Sequence, residues 1–222
     1  MNRLLFSSLL LLLSSWANAY DFVVDGLCYN ILSDNEVELT YPMYEISYAG
    51  DITIPSYVVD QNLTYKVVAI GQASFSRNKK ITSVSIPNTI KLIGSYAFQD
   101  CSSLNSIIIP NSVISIEKSA FNGCTKMSSL SLSNSLITIG DGAFHHCDAL
   151  EYVSIPNKVE SLGGYSFGRC NSLKKVVIPN SIISIAEWAF YDSPIEEIEN
   201  NISNPFIIRK MFLLMQYTRI VN

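Results

Sequence analysis

One phrase, Ile-Pro-Asn, returns in a fixed register through the middle of this chain. It stands at Ile86-Pro87-Asn88, Ile109-Pro110-Asn111, Ile155-Pro156-Asn157 and Ile178-Pro179-Asn180. Leu132-Ser133-Asn134 fills the slot between the second and third copies, with the proline lost. A phenylalanine keeps the same 23-residue period at positions 75, 98, 121, 144, 167 and 190, and so do Cys101, Cys124, Cys147 and Cys170. Self-similarity at this length means that one short structural unit is stacked on copies of itself. A single unit buries too little apolar surface to offset the entropy of ordering it, so neighbouring units must share their buried faces.

The unit reads A-F-x-x-C-x-x-L-x-x-I-x-I-P-N-x-V-x-x-I-G-x-x. In the Leu-x-x-Ile-x-Ile stretch the last apolar residues alternate, which is strand periodicity. Proline then closes the strand because it has no N–H for a ladder. Val-x-x-Ile-Gly predicts a second short extended piece, with Gly94 and Gly140 permitting a tight bend. Phe-x-x-Cys predicts a helical or 3₁₀ turn. The fold class is therefore a β-rich solenoid of the leucine-rich-repeat kind: a right-handed stack of 23-residue coils.

The flanks differ from the repeat. Residues 1–19 carry Arg3, the apolar run Leu4 to Leu13 and the small-residue box Ala17-Asn18-Ala19, the order expected of a secretory signal peptide and too short for a membrane span. Residues 20–50 predict an N-terminal β cap. Its first hairpin, Asp21–Val24 and Leu27–Leu32, turns on Asp25-Gly26, and Val37–Tyr41 supplies a third strand. The solenoid is placed at 51–206, about six coils plus a lengthened first one, whose extra residues surround Asp60-Gln61-Asn62 as a turn. Near the end Ser193 stands in the cysteine slot and Ile195 comes one residue early for the leucine slot. Residues 207–222 form an atypical tail without repeat phase. No second apolar stretch approaches the length of a spanning helix, so the exported chain is expected not to cross a membrane.

Composition narrows the function. Apolar residues make up 48% and charged residues 15% of the 222, and the net charge is −4 with no basic block. That argues for a folded core and against nucleic acid as the partner. The in-phase cysteines are too far apart in sequence for a zinc site. A disulfide ladder between coils is geometrically open, but a column of buried thiols is the favoured reading, since Asn78 and Ser193 fill the same slot in the end coils. Cys28 is expected to be buried in the cap. His145 and His146 occupy a tolerant, solvent-facing slot. No catalytic, metal-binding or cofactor-binding motif is visible, which predicts a non-enzyme without cofactors.

Gly94-Ser95-Tyr96-Ala97-Phe98-Gln99-Asp100-Cys101-Ser102-Ser103-Leu104 and Ile109-Pro110-Asn111-Ser112-Val113 closely resemble the BspA-like leucine-rich-repeat surface proteins, known chiefly from Bacteroidetes. Tyr20–Gly26 and Tyr65–Gly71 resemble the same family, and the likeness spans roughly residues 20–206. It implies an exported protein (periplasmic, surface-displayed or released) used for adhesion or for binding an extracellular or host protein or a glycan. The chain is expected to be a monomer. Asn204-Pro205-Phe206 matches the family's closing phrase, and residues 207–222 depart from the family pattern. The candidate partner-binding face is the outward side of the Leu-x-x-Ile-x-Ile strand: Ser106 and Ile108, Ser129 and Ser131, Tyr152 and Ser154, Lys175 and Val177, with Ser83 and Ser85 before them. A purely structural or truncated copy without its own ligand is the competing reading.

Overall fold

The computed structural model describes residues 20–42 and 48–200. Residues 1–19, expected to be a signal peptide, and residues 201–222, with the Asn204-Pro205-Phe206 phrase and the tail expected at 207–222, lie outside the described residues. Within them the chain is a β-solenoid with no helix.

The N-terminal strands are β1 (Phe22–Val24), β2 (Leu27–Ser33) and β3 (Glu36–Leu39). β1 and β2 pair antiparallel around Asp25 and Gly26, both at positive φ (48° and 78°). Two left-handed residues at the tip give a primed turn, whose twist matches that of the flanking strands, which is why Asp-Gly sits there. β4 (Gly50–Thr53), β5 (Tyr57–Asp60) and β6 (Leu63–Ile70) follow. The extra residues of the first coil form more than a turn. β5 and β6 make an antiparallel hairpin whose tip, Gln61 and Asn62, again has positive φ at both residues.

From there each coil contributes two strands. The Leu-x-x-Ile-x-Ile strands are β7 (Ile81–Ser85), β9 (Ser106–Ile108), β11 (Ser129–Ser131), β13 (Tyr152–Ser154), β15 (Lys175–Ile178) and β17 (Glu197–Asn200). The Val-x-x-Ile-Gly strands are only two residues long: β8 (Leu92–Ile93), β10 (Ser115–Ile116), β12 (Thr138–Ile139), β14 (Ser161–Leu162) and β16 (Ser184–Ile185). These short strands build the continuous ladder, a ten-stranded sheet ordered β1-β2-β3-β6-β8-β10-β12-β14-β16, with β5 added on β6. β3 joins β6 in parallel, so the N-terminal segment covers the first coil by extending its sheet. The longer strands fall into three groups, β4–β7, β9–β11 and β13–β15–β17. β15 pairs with β17 at Val176↔Ile198, an offset of 22, as the early Ile195 requires.

The Phe-x-x-Cys edge is not a helical turn. Its N–H groups alternate between two destinations. Ser74, Ser76 and Asn78 donate to the carbonyls of Gly71, Ala73 and Phe75, closing three successive turns. Ala73, Phe75 and Arg77, lying between them, donate to Ser95, Ala97 and Gln99 of the next coil. A helix would need every N–H for itself; stacking claims half of them. The chain complies by taking a left-handed residue twice per coil, Ala73 and Arg77 first, and then Tyr96 and Asp100. Gly94 and Gly140 do not serve the bend through left-handed φ. A Cβ on Gly140 would lie 2.8 Å from the Glu117 carbonyl carbon of the preceding coil. These glycines permit close approach between coils.

Inside, the phenylalanines form one stack. Ring centroids from Phe75 to Phe167 are 5.0–5.2 Å apart, and Phe190 lies 5.8 Å beyond Phe167. Tyr48 closes the N-terminal end edge-on at 5.1 Å. The cysteines run beside this stack, each wholly buried. Each thiol donates to the phenylalanine carbonyl of the preceding coil: Cys101 to Phe75, Cys124 to Phe98, Cys147 to Phe121 and Cys170 to Phe144, at 3.1–3.4 Å. Ser193 repeats the contact with its hydroxyl, 2.8 Å from the Phe167 carbonyl. All five cysteines are free and buried.

Candidate binding surfaces

The strands hold their outward side chains in registered rows. On the Leu-x-x-Ile-x-Ile side, Ser106 lies opposite Ser129, and Ile108 opposite Ser131. Ile108 is 72% exposed. Tyr152 lies opposite Lys175, and Ser154 opposite Val177. Tyr152 is 48% exposed, while Lys175 and Val177 are half-buried. The two groups are not joined: β11 pairs only with β9, and β13 only with β15, among the described residues. The break follows β11, whose coil is the one that lost its proline. Ser133 there is buried and donates its hydroxyl to the Val113 carbonyl of the preceding coil, at 2.7 Å.

Lys175 is not a free cation. Its Nζ lies 2.6 Å from Glu197 and 3.4 Å from Glu199, which sit on the next strand. The hydrogen bond to Glu197 holds the ammonium above the ordinary lysine value. Lys174 and Glu196 repeat the pairing at 3.4 Å. The rich end of this face is thus a row of Tyr152, Lys175 and Glu197 beside a row of Ser154, Val177 and Glu199. At the other end Ser83 faces Asp51, whose Oδ1 accepts from the Ser83 and Thr82 hydroxyls, holding the carboxyl below its usual range.

The turn edge carries a second group. Tyr165 and Trp188 stack nearly parallel, 6.2 Å apart. Tyr191 meets both edge-on, and the Arg169 guanidinium lies 5.9 Å from the Tyr191 ring centre. His145 stands edge-on to Tyr165 at 5.8 Å, and burial lowers its pKa. His146 lies 3.6 Å from Asp148. Of the two histidines expected to face solvent, His145 is therefore half-buried against Tyr165, while the His146 side chain is 37% exposed.

A family model described as "BspA type Leucine rich repeat region" matches in six copies, over residues 56–153 and 137–218. The chain belongs to this family. Two solved structures resemble the BspA-type chain along most of its length. A leucine-rich repeat protein from Bacteroides ovatus shares 31% identity at a TM-score of 0.67, over 81% of this chain and 53% of that one. A leucine rich cell surface protein from Faecalibacterium prausnitzii shares 29% identity at 0.66, over 81% and 50%. The BspA-type chain therefore spans about half the length of these two. A leucine-rich repeat protein from T. pallidum, 19% identical with a TM-score of 0.65 over 87% and 95%, shares the fold. No curated protein matches the chain significantly.

The strand-face residues of the sequence analysis fall in two separate registered groups, β9–β11 and β13–β15, and sequence reasoning passed over the turn edge. The signal was present: aligning the coils puts Tyr96, Tyr165 and Trp188 in one slot. No helix among the described residues is long and apolar enough to cross a membrane, and no cluster of metal-ligating side chains occurs among them.

Proposed function

We propose that this BspA-type protein is an exported binding module, displayed on the cell surface or released, that recognises an extracellular or host protein and performs no catalysis. The observation that carries the reading is the registered row of Tyr152, Lys175 and Glu197 on a platform fixed by parallel pairing. The ladder fixes its backbone and Glu197 and Glu199 hold Lys175, so less freedom is lost when a partner docks. Tyrosine supplies the amphipathic area that interfaces favour. Val177 and Ser154 flank it, and Ser129, Ser131, Ser106 and Ile108 extend the face toward the N-terminus. The family match and the cell-surface relative support an outward-facing role.

The test is a pull-down against immobilised extracellular-matrix proteins, with detection on intact and on lysed cells to locate the chain. A Tyr152→Ser/Lys175→Ser double variant should lose capture while its melting temperature stays near that of the parent, because both side chains face away from the core. Undiminished capture by the double variant would move the contact off this face.

A further inference from the structure

Each coil places one residue just ahead of its Ala-Phe (or Ser-Phe) pair, on the outer side of the turn edge. Through the middle of the solenoid these are Tyr96, Ser119, Gly142, Tyr165 and Trp188. Four of them are left-handed non-glycine residues and the fifth is Gly142, also at positive φ, so all five share one backbone conformation. With coils about 4.8 Å apart the five positions form a column. The column is aromatic at both ends and small in the middle. Tyr165 and Trp188, each 41% exposed, continue the stack toward the C-terminus. On the other side of Tyr165 the next place in the column is vacant because Gly142 has no side chain, and the ring nearest to Tyr165 there is His145, edge-on at 5.8 Å. The gap to Tyr96 spans three coils, about 14 Å.

A hollow of about 500 Å³ lies along this edge, from Lys118 and Ser119 past Gly142 to Tyr165 and Tyr191. Gly142, Ser119 and Gly164 form its small-residue floor, and Tyr165 and Tyr191 give it aromatic walls. Around it stand five side chains that hydrogen-bond: Lys118, Asn122, Asp141, His145 and Arg169. Asp141 uses its Oδ1 to accept the Gly164 N–H at 2.7 Å. Lys118 has no ion pair among the described residues.

We propose that this hollow binds the pyranose ring of an acidic saccharide, its C–H face on Tyr165 and its acidic group toward Lys118 and Arg169. The stack sets the place: a flat ring in the vacancy continues the series that Tyr165 and Trp188 begin. The lining sets the chemistry. An aromatic side chain from a partner would also stack, but it would offer no hydrogen-bond partner to Lys118, Asn122 and His145, and covering such groups unpaired is costly. A sugar ring offers one apolar face and a rim of hydroxyls, which matches one aromatic wall surrounded by donors and acceptors. Arg169 also lies 3.7 Å from Asp192, an exposed pair that an anion can displace. Lys118 has no ion pair among the described residues and Asp141 is already engaged by a backbone N–H, so the lining favours an anionic substituent.

The test is a calorimetric titration of the full chain with two probes, an oligogalacturonate hexamer and the neutral hexasaccharide maltohexaose. The uronate should bind at least about tenfold more tightly, with an advantage that shrinks as salt rises. Gly142→Tyr should abolish binding. The slot accepts tyrosine at positions 96 and 165, and the nearest obstacle to a Cβ at Gly142 is the Ser119 Oγ at 3.2 Å, so this variant should fold. Tyr165→Ser should also abolish binding, and Lys118→Ser should level the two affinities. The strand-face double variant should bind the uronate as the parent does, which separates this site from the protein contact proposed above. Absence of uronate binding at millimolar concentration, or full binding by Gly142→Tyr, overturns the proposal. Equal affinity for the two probes overturns the role given to Lys118 and Arg169.

Discussion

Raising the pH should unfold this protein with a steepness set by its thiol column. Cys101, Cys124, Cys147 and Cys170 have no exposed surface. Burial pushes Cys101 and Cys170 up to about 12, and Cys124 and Cys147 well above the ordinary range. An unfolded thiol ionises at about 8.5. A group whose folded pKa is raised contributes stability that is complete below the unfolded value and disappears as pH climbs toward the folded one. Between roughly pH 9 and 12 the unfolded chain releases protons that the native chain retains. Each such thiol lowers the unfolding free energy by about 1.4 kcal/mol per pH unit, so four lower it by about 5. Against a typical domain stability of roughly 5–15 kcal/mol, one to three pH units should suffice to unfold the chain.

Urea denaturation followed by far-UV circular dichroism at pH 8, 9 and 10, under reductant, measures the slope. Cys147→Ser isolates one thiol. Ser193 already fills this slot in the last coil, donating its hydroxyl to Phe167, so serine should keep the contact with Phe121. The variant should shed about a quarter of the pH dependence, about 1.4 kcal/mol per unit. A parent protein whose stability stays flat to pH 10, or a Cys147→Ser slope equal to the parent's, would refute the reasoning and point to thiols already paired or accessible in the native state.

Phe121→Ala, which empties the middle of the stack, should cost about 3–5 kcal/mol, measured by chemical denaturation. Ser193→Ala should cost about 1–3 kcal/mol, because the hydroxyl both donates to the Phe167 carbonyl and accepts the Cys170 N–H in a buried place; Ser193→Cys should recover much of it. Gly163→Val should lower the melting temperature sharply, since a Cβ there would lie 2.6 Å from the Gly140 carbonyl carbon, which cannot swing away. In the native state all four stacked thiols should resist a thiol reagent at pH 8 and react once the chain is denatured, because burial withholds the thiolate.

The parts of the fold legible in the sequence are those in which one residue type does one job in every coil. Phe98 and its equivalents fill one buried column, and Asp25-Gly26 specifies a primed hairpin whatever surrounds it. The turn edge was harder to read. Whether Phe-x-x-Cys becomes a helix or a chain of turns depends on where its N–H groups go, and half of them go to a coil that lies 22 residues later in sequence. Local propensity carries no trace of that competition. Two-residue strands such as Ser115–Ile116 are also too short to show periodicity, yet they build the longest sheet. The extra residues of the first coil read as a turn because only their Gln61-Asn62 tip is turn-like; Val58 and Val67 become strand residues through pairing with their neighbours.

The same logic locates function in this architecture. A column that is identical in every coil answers to packing, because every coil faces the same neighbours. A column that varies answers to solvent or to a ligand, and only its departures from random polar filler are informative. Two such departures stand out. Along the strand face, the serines of the early coils give way to Tyr152 and Lys175, and the lysine is then tied to Glu197 and Glu199. Along the turn edge, an aromatic series breaks at Ser119 and Gly142, and a polar-rimmed hollow runs from there to Tyr165 and Tyr191. Neither change touches the phenylalanine or thiol columns, so the buried spine leaves both faces free to vary. Binding properties can therefore be altered coil by coil at the surface while the stack beneath keeps its register.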